Sequence, residues 1–387
     1  MTKKNYDAII IGGGIVGCAV AFELAKRGLK DTLIVERKYA TSGNTGKCGA
    51  GIRQQWGSEL NATLAYESTK IFEQLEDYTG YDHSCGLNQT GYLLIACNDA
   101  EWRQFQANIA VQHKLGIKSY TVDLDKEIFK IVPHIKTDGL VGAVYCHEDG
   151  SADPFHCTLA YMQGAKRLGV EMLTYTPVTE LLADKGKITG VRTTAGDFYA
   201  PMVINCANEW APALAAQVGD DIPVIPERHQ AVITEPVAPM GYDGSAMPMV
   251  MSWQRRFFCQ QTLHGSFIMG EIEEVPTTAS DANWDYLESN CHTITTTLPA
   301  LRSLRVLRHW AGHFDMSPDH TPIISFSKNA EGLLTICGFS GHGFMIAPRT
   351  AVMVARKICG ESDTIDINKF CVERYKTGAL LLEPMAL

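Results

Sequence analysis

An apolar, β-branched run, Tyr6 to Ile11, breaks at Gly12-Gly13-Gly14, and apolar residues then recur at helical spacing from Ile15 to Arg27 before Gly28. Gly12-x-Gly14-x-x-Gly17 therefore stands between a predicted strand and a predicted helix. In that setting the glycines let backbone N–H groups approach a pyrophosphate at the helix N-terminus and let helix and strand pack closely. A second strand, Thr32 to Val35, ends at Glu36, nineteen residues past Gly17, where a carboxylate can accept ribose hydroxyls. This β-α-β opening predicts an α/β protein, α+β overall, built on a Rossmann-type dinucleotide domain.

The chain of 387 residues exceeds one typical core, so a second, substrate-binding domain is expected. A net charge of −9 gives nucleic acid or anionic membrane no broad handle. No apolar run reaches membrane-span length and the N-terminus enters a strand directly, which predicts a cytoplasmic protein. The 12 cysteines contain no C-x-x-C pair, so no metal site is expected and most should be buried thiols in a reducing compartment.

Residues 41–57 are rich in Gly, Ser and Thr, too long and irregular for an ordinary turn, and suggest a ligand-engaged loop. Helices are predicted over Ser58 to Tyr78, Asp99 to Leu115, Pro154 to Leu168 with Asp153 as N-cap, Glu209 to Val218, and Pro348 to Ile358. Strands are predicted from Gly86 to Ala96, across Glu171 to Tyr175, Val178 to Ala183 and Ile188 to Thr193, at Pro201 to Cys206, and at Leu333 to Cys337. Strand-like runs between Pro223 and Gly270 read as a mostly antiparallel inserted sheet. The expected division is a discontinuous dinucleotide domain over 1–85, 146–218 and 325–387, with the substrate domain over 86–145 and 219–324.

The fingerprint serves NAD and FAD alike, and no second one occurs, so electrons are expected to enter from an organic substrate. Five further segments carry a resemblance over nearly the full length. They are Ser42-Gly43-Asn44-Thr45 through Arg53, Asp149 to Pro154, Val203 to Trp210, Trp310-Ala311-Gly312 with Ser317-Pro318-Asp319, and Gly338 to Phe344. With them the chain resembles the D-amino-acid oxidase superfamily of FAD enzymes, and within it the β subunits of heteromeric sarcosine oxidases and dye-linked L-proline dehydrogenases. The resemblance implies an FAD site formed by Gly12, Gly14, Ile15, Gly17, Glu36, Arg37, Ser42, Thr45, Cys48, Gly49, Gly51, Ile52, Val178, Ala207, Trp210, Gly312, Gly338, Gly341, His342, Gly343, Phe344 and Met345.

It also implies oxidation of the C–N bond of a small, often secondary, amino acid to an imine, with hydride passing to flavin N5. Arg53 is the family-matched candidate for the substrate carboxylate, with a surface or flavin-structural role as the alternative. His342 can serve the pyrimidine side of the ring or pack as a hydrogen-bonded histidine, and His229 can face the flavin or cap the inserted sheet. Met345 stands where monomeric sarcosine oxidases carry a carboxylate-binding Lys, leaving Arg53 or a hydroxyl for that task. Gly312 stands where those oxidases attach flavin through Cys, which implies noncovalent FAD. Trp253 to Leu263 holds Arg255 and Arg256 but no Lys, which leans toward a dehydrogenase passing electrons to a partner subunit or carrier in a hetero-oligomer. The alternatives are a glycerol-3-phosphate-like dehydrogenase, a glycine or D-amino-acid oxidase, and a noncatalytic electron-relay subunit.

Overall fold

The structure, a computed structural model, describes residues 4–271 and 275–384. Its first sheet has six strands in the order Ile323–Phe326, Leu333–Cys337, Val203–Asn205, Ala8–Ile11, Thr32–Val35 and Glu171–Leu173. All pairs are parallel except the first. Both faces are covered, which is why these strands read as unbroken apolar runs. Ile10, Ile34, Ile204 and Leu334 pack against the helices Ile15–Lys26, Glu59–Phe72, Pro154–Arg167 and Gly343–Ile358. Their alternates Ile9, Leu33, Val203 and Leu333 pack against Leu181, Ile188, Val191 and Phe198 of a three-stranded antiparallel sheet.

A nine-stranded sheet gathers strands from 92–146 and 225–316. Its pairs are antiparallel except Met249–Ser252 beside Tyr92–Ala96. One face packs Leu93, Ile95, Val250, Phe257 and Phe267 on the helix Trp284–Thr297. The alternate positions Tyr92, Leu94, Met249, Met251 and Phe258 form the opposite face, which packs Phe105 at one end. Tyr92, Met249, Met251 and Phe258 also line a cavity between this sheet and the glycine-rich loop. The strands Ile225–Thr234 and Val306–Met316 pair over their length, setting His229 opposite Gly312.

Several elements depart from expectation for local reasons. The helix expected from Ser58 to Tyr78 breaks into Glu59–Phe72 and Leu75–Thr79, because Gln74 leaves helical geometry at φ −131°. The strand expected from Gly86 shrinks to Tyr92–Ala96, since Gly86 and Gly91 both hold positive φ. The final helix begins at Gly343, so Pro348 lies inside it and only the carbonyl of Phe344 loses its i+4 donor. The helix expected from Glu209 to Val218 is three pieces, with 3-10 turns flanking Ala211–Ala215. The strands Gly196–Tyr199 and Val306–Met316 were not expected. Among the described residues, no helix is long and apolar enough to cross a membrane.

Candidate active site

A chamber of about 370 Å³ opens at the carboxyl ends of the first two parallel strands. Gly12 holds φ +111°, and a Cβ there would stand 2.6 Å from the Cys206 carbonyl oxygen. A Cβ on Gly17 would stand 2.1 Å from the Gly12 carbonyl oxygen, so only glycine lets helix and strand approach this closely. Gly14 caps the helix without a side-chain hydrogen bond, and the Thr45 hydroxyl accepts from Ile15 N–H at 3.2 Å. Glu36 accepts from Gly13 N–H at 2.7 Å and Lys38 N–H at 2.8 Å, and Ser42 Oγ donates to it at 3.3 Å. Arg37 lies 3.5 Å above the Trp210 ring, and Val178 and Ala207 complete the wall.

A second chamber of about 220 Å³ shares Val16, Asn44, Thr45 and Asn208 with the first, so the two meet end to end. One wall is made of small residues and backbone: Cys48, Gly49, Gly51, Gly312, Gly341 and Gly343, with Ile15, Phe344 and Met345. The sheet face of Tyr92, Met249, Met251 and Phe258 lies opposite, and His229, His313, Phe314 and Asp315 close an end. Two glycines are required by close approach. The Tyr92 hydroxyl occupies the place of a Cβ on Gly51, 1.7 Å away, and the Phe314 ring lies 2.4 Å from a Cβ on Gly341, which also holds φ +89°.

The second chamber has a mixed electrostatic lining. His229 stacks on Phe314 with ring centroids 3.6 Å apart, and burial pulls its pKa down to about 3, so it carries no cationic charge at neutral pH. Burial pushes the Cys48 thiol up to about 12 and the Asp315 carboxyl up to about 7. Burial also lowers the Lys47 ammonium. Glu209 accepts from Asn44 Nδ2 at 3.0 Å and lies 3.4 Å from His313 Nδ1.

Four sequence-predicted residues, Ile52, Arg53, Gly338 and His342, stand behind these walls and line neither chamber. Ile52 pairs with Gly150, and Gly338 donates to Asp315 Oδ2 at 2.6 Å. The Arg53 guanidinium is buried 4.1 Å from the Trp56 ring centroid and 5.2 Å from that of Trp253. Arg53 Nη1 has no hydrogen-bond partner among the described residues. His342 packs on Trp56 at 4.7 Å, and burial followed by the Arg53 charge depresses its pKa to about 3. Asp149 accepts from Gln54 N–H at 2.8 Å and Gln55 Nε2 at 2.9 Å, fixing the segment beside Arg53. Its own carboxyl is pushed up to about 7 by burial. Tyr92, Met249, Met251, Phe314 and Asp315 were missed as site residues. The period-two alternation of the strand holding Tyr92 was legible, but which face met the glycine loop was not.

Over residues 7–357 the chain matches the DAO family, described as FAD dependent oxidoreductase, and it belongs to that family. It is an FAD-dependent oxidoreductase acting on amino acids, with homologues among sarcosine oxidase β subunits and L-proline dehydrogenase. It is 24% identical to the sarcosine oxidase subunit beta of Rhodobacter capsulatus, covering 99% of this chain and 92% of that one. It is 28% identical to the corresponding subunit of Arthrobacter sp, covering 98% of this chain and 94% of that one. The crystal structure of L-proline dehydrogenase from P. horikoshii superposes with a TM-score of 0.91 at 34% identity, covering 98% of this chain and 100% of that one.

The residues present fit the family's cofactor. The first chamber offers a glycine-capped helix end for a pyrophosphate and the Glu36 carboxylate for a ribose. The second is a slot of about 220 Å³ walled on one side by Gly49, Gly51, Gly312, Gly341 and Gly343, which carry no side chains to obstruct a flat ring.

Proposed function

We propose that the two chambers hold one noncovalent FAD, with the adenosine half in the first and the ring in the second. The chain then oxidises the C–N bond of a small secondary or cyclic amino acid of the proline, sarcosine and hydroxyproline class to its imine. The observation that carries this reading is the buried Arg53, whose Nη1 has no hydrogen-bond partner among the described residues, standing behind a chamber wall that includes Tyr92. A hydroxyl supported by an arginine is a carboxylate anchor, and a hydrogen bond to a charged group contributes about 1.5–3 kcal/mol. Met249, Met251 and Phe258 offer apolar contact to the hydrocarbon part of the substrate.

Bound FAD supplies the two-electron acceptor. The protein's part is to bind the amino acid, hold it against the glycine wall and exclude water. With its pKa near 3, His229 stays neutral beside the substrate and adds no positive charge that would oppose an amine. Electrons leave to a partner subunit or carrier, a reading supported by the similarity to sarcosine oxidase β subunits. A phosphate-bearing hydroxy substrate is disfavoured because Arg255 and Arg256 line neither chamber. Arg255 is instead tied to the Asp138 carbonyl and the Thr297 hydroxyl.

The test is anaerobic bleaching of the bound flavin with L-proline, D-proline, hydroxyproline, sarcosine, glycine, glycerol 3-phosphate and lactate. Bleaching by a secondary amino acid, with slow recovery in air, is expected. It should require tenfold or more substrate in Tyr92→Phe, which retains the flavin. Bleaching by a hydroxy compound alone would overturn the proposal.

A further inference from the structure

Asp315 is the one carboxylate residue lining the second chamber among the described residues, and it is nearly inaccessible at 3% exposure. It closes the strand Val306–Met316 just where the chain turns toward Ser317. Its carboxylate Oδ2 accepts from Gly338 N–H at 2.6 Å, and its carbonyl accepts from Ser340 N–H at 3.2 Å. A second strap runs the other way, with Ser317 N–H donating to Ser340 Oγ at 3.1 Å. The turn so held carries left-handed backbone at Gly338, Ser340 and Gly341, and Gly341 lines the chamber. A left-handed non-glycine residue such as Ser340 costs energy that surrounding contacts must over-determine.

We propose that Asp315 is a positioning residue with an electrostatic role: its carboxylate clamps the Gly338–Gly341 turn and sets the reduction potential of the flavin by placing an ionisable charge in the ring chamber. The inference rests on the reading that this chamber holds the flavin ring. A fixed negative charge there opposes the arrival of electrons, while a neutral acid does not.

The titratable groups around Asp315 come from four elements. Glu209 lies on the 208–210 turn, Cys337 on the adjoining parallel-sheet strand, His229 on the paired strand, and His313 on its own strand. Lys47 lines the same chamber from the glycine-rich loop. Burial holds Cys337 far above the normal thiol range, and His229 is neutral above about pH 3, so neither changes charge near neutrality. The pKa of Asp315, raised to about 7, puts its own ionisation in that window.

The experiment is spectroelectrochemical titration of the FAD-loaded protein from pH 5 to 9 in wild type, Asp315→Asn, Asp315→Ala and Met345→Lys. Asparagine keeps an acceptor for Gly338 and removes the charge. It should therefore favour reduction about tenfold at pH 8, a rise of about 30 mV for two electrons, and remove an inflection present in wild type near pH 7. Alanine also removes the clamp and should additionally weaken flavin retention. Met345→Lys adds a positive charge to the same wall and should raise the potential regardless of Asp315. If Met345→Lys raises the potential and Asp315→Asn leaves both the potential and its pH profile unchanged, the Asp315 proposal is overturned. If neither variant shifts the potential, the flavin ring lies outside this chamber, and the placement on which the proposal rests fails first.

Discussion

Replacing Gly51 with alanine would put a methyl carbon 1.7 Å from the Tyr92 hydroxyl oxygen and 3.1 Å from ring carbon Cζ. Real Cβ atoms essentially never approach another heavy atom closer than 3.0 Å, so ring or strand must give by about 1.3 Å. Neither yields cheaply. Tyr92 is buried on a central strand paired on both sides, and Gly51 is paired with Ser151. Overpacking of this kind costs about 1–3 kcal/mol. The clash belongs almost wholly to one oxygen, which makes the prediction sharp. In Tyr92→Phe the nearest atom becomes Cζ at 3.1 Å, a contact relieved by a few tenths of an ångström. Gly51→Ala should therefore be strongly destabilising alone and mild in the Tyr92→Phe background, with a coupling of about 1–2 kcal/mol recovered in the double variant. Urea denaturation of the four proteins, followed by circular dichroism, measures this directly. A double variant no more stable than Gly51→Ala would refute the packing argument.

Glu36→Ala removes the acceptor of Gly13 and Lys38 N–H at the mouth of the first chamber. It should weaken FAD binding at least tenfold, since hydrogen bonds to charged groups contribute about 1.5–3 kcal/mol each, and flavin retention on dialysis reads this. His342 has its folded pKa depressed to about 3 from an ordinary value near 6.5, so its contribution to stability is full above the unfolded value and is lost as pH falls toward 3. His342→Gln lacks this loss, so the stability difference between wild type and variant should move by about 2 kcal/mol in the variant's favour from pH 7 to pH 5. An unchanged difference would place the ring in contact with solvent. Arg374 is buried on Asp319 at 2.7 Å and also donates to the Thr321 and Phe370 carbonyls. Arg374→Met should cost about 3–5 kcal/mol in denaturation while leaving substrate specificity unchanged.

The same contrast between backbone and side-chain packing decides what could be read from the sequence. Gly12, Gly14, Gly17 and Glu36 were legible because the glycine spacing and the following strand end are local features, and the structure gathers all four on one chamber. The interruption at Gln74 and the early start at Gly343 were not, because tertiary contacts override local preference there. Gly343 follows a turn held by Asp315 and Ser317 from the far end of another strand. The roles foreseen for Arg53 and His342 expose the limit more fully. Sequence places both beside the glycine-rich segments, but it does not say that Trp56 comes between them, 4.1 Å from one and 4.7 Å from the other. An arginine buried this way keeps its charge at a cost, which burial registers as a lowered pKa, and it retains an unpartnered Nη1. Tyr92, Glu383 and Asp149 partly offset that burial, and of the three only Tyr92 lines the second chamber. On the proposed function, the substrate carboxylate is held one layer in front of the arginine that the family resemblance singles out. Tyr92, whose hydroxyl is proposed for that task, sits on a strand more than thirty residues away in sequence, and only the meeting of the nine-stranded sheet with the glycine-rich loop brings it to the chamber wall.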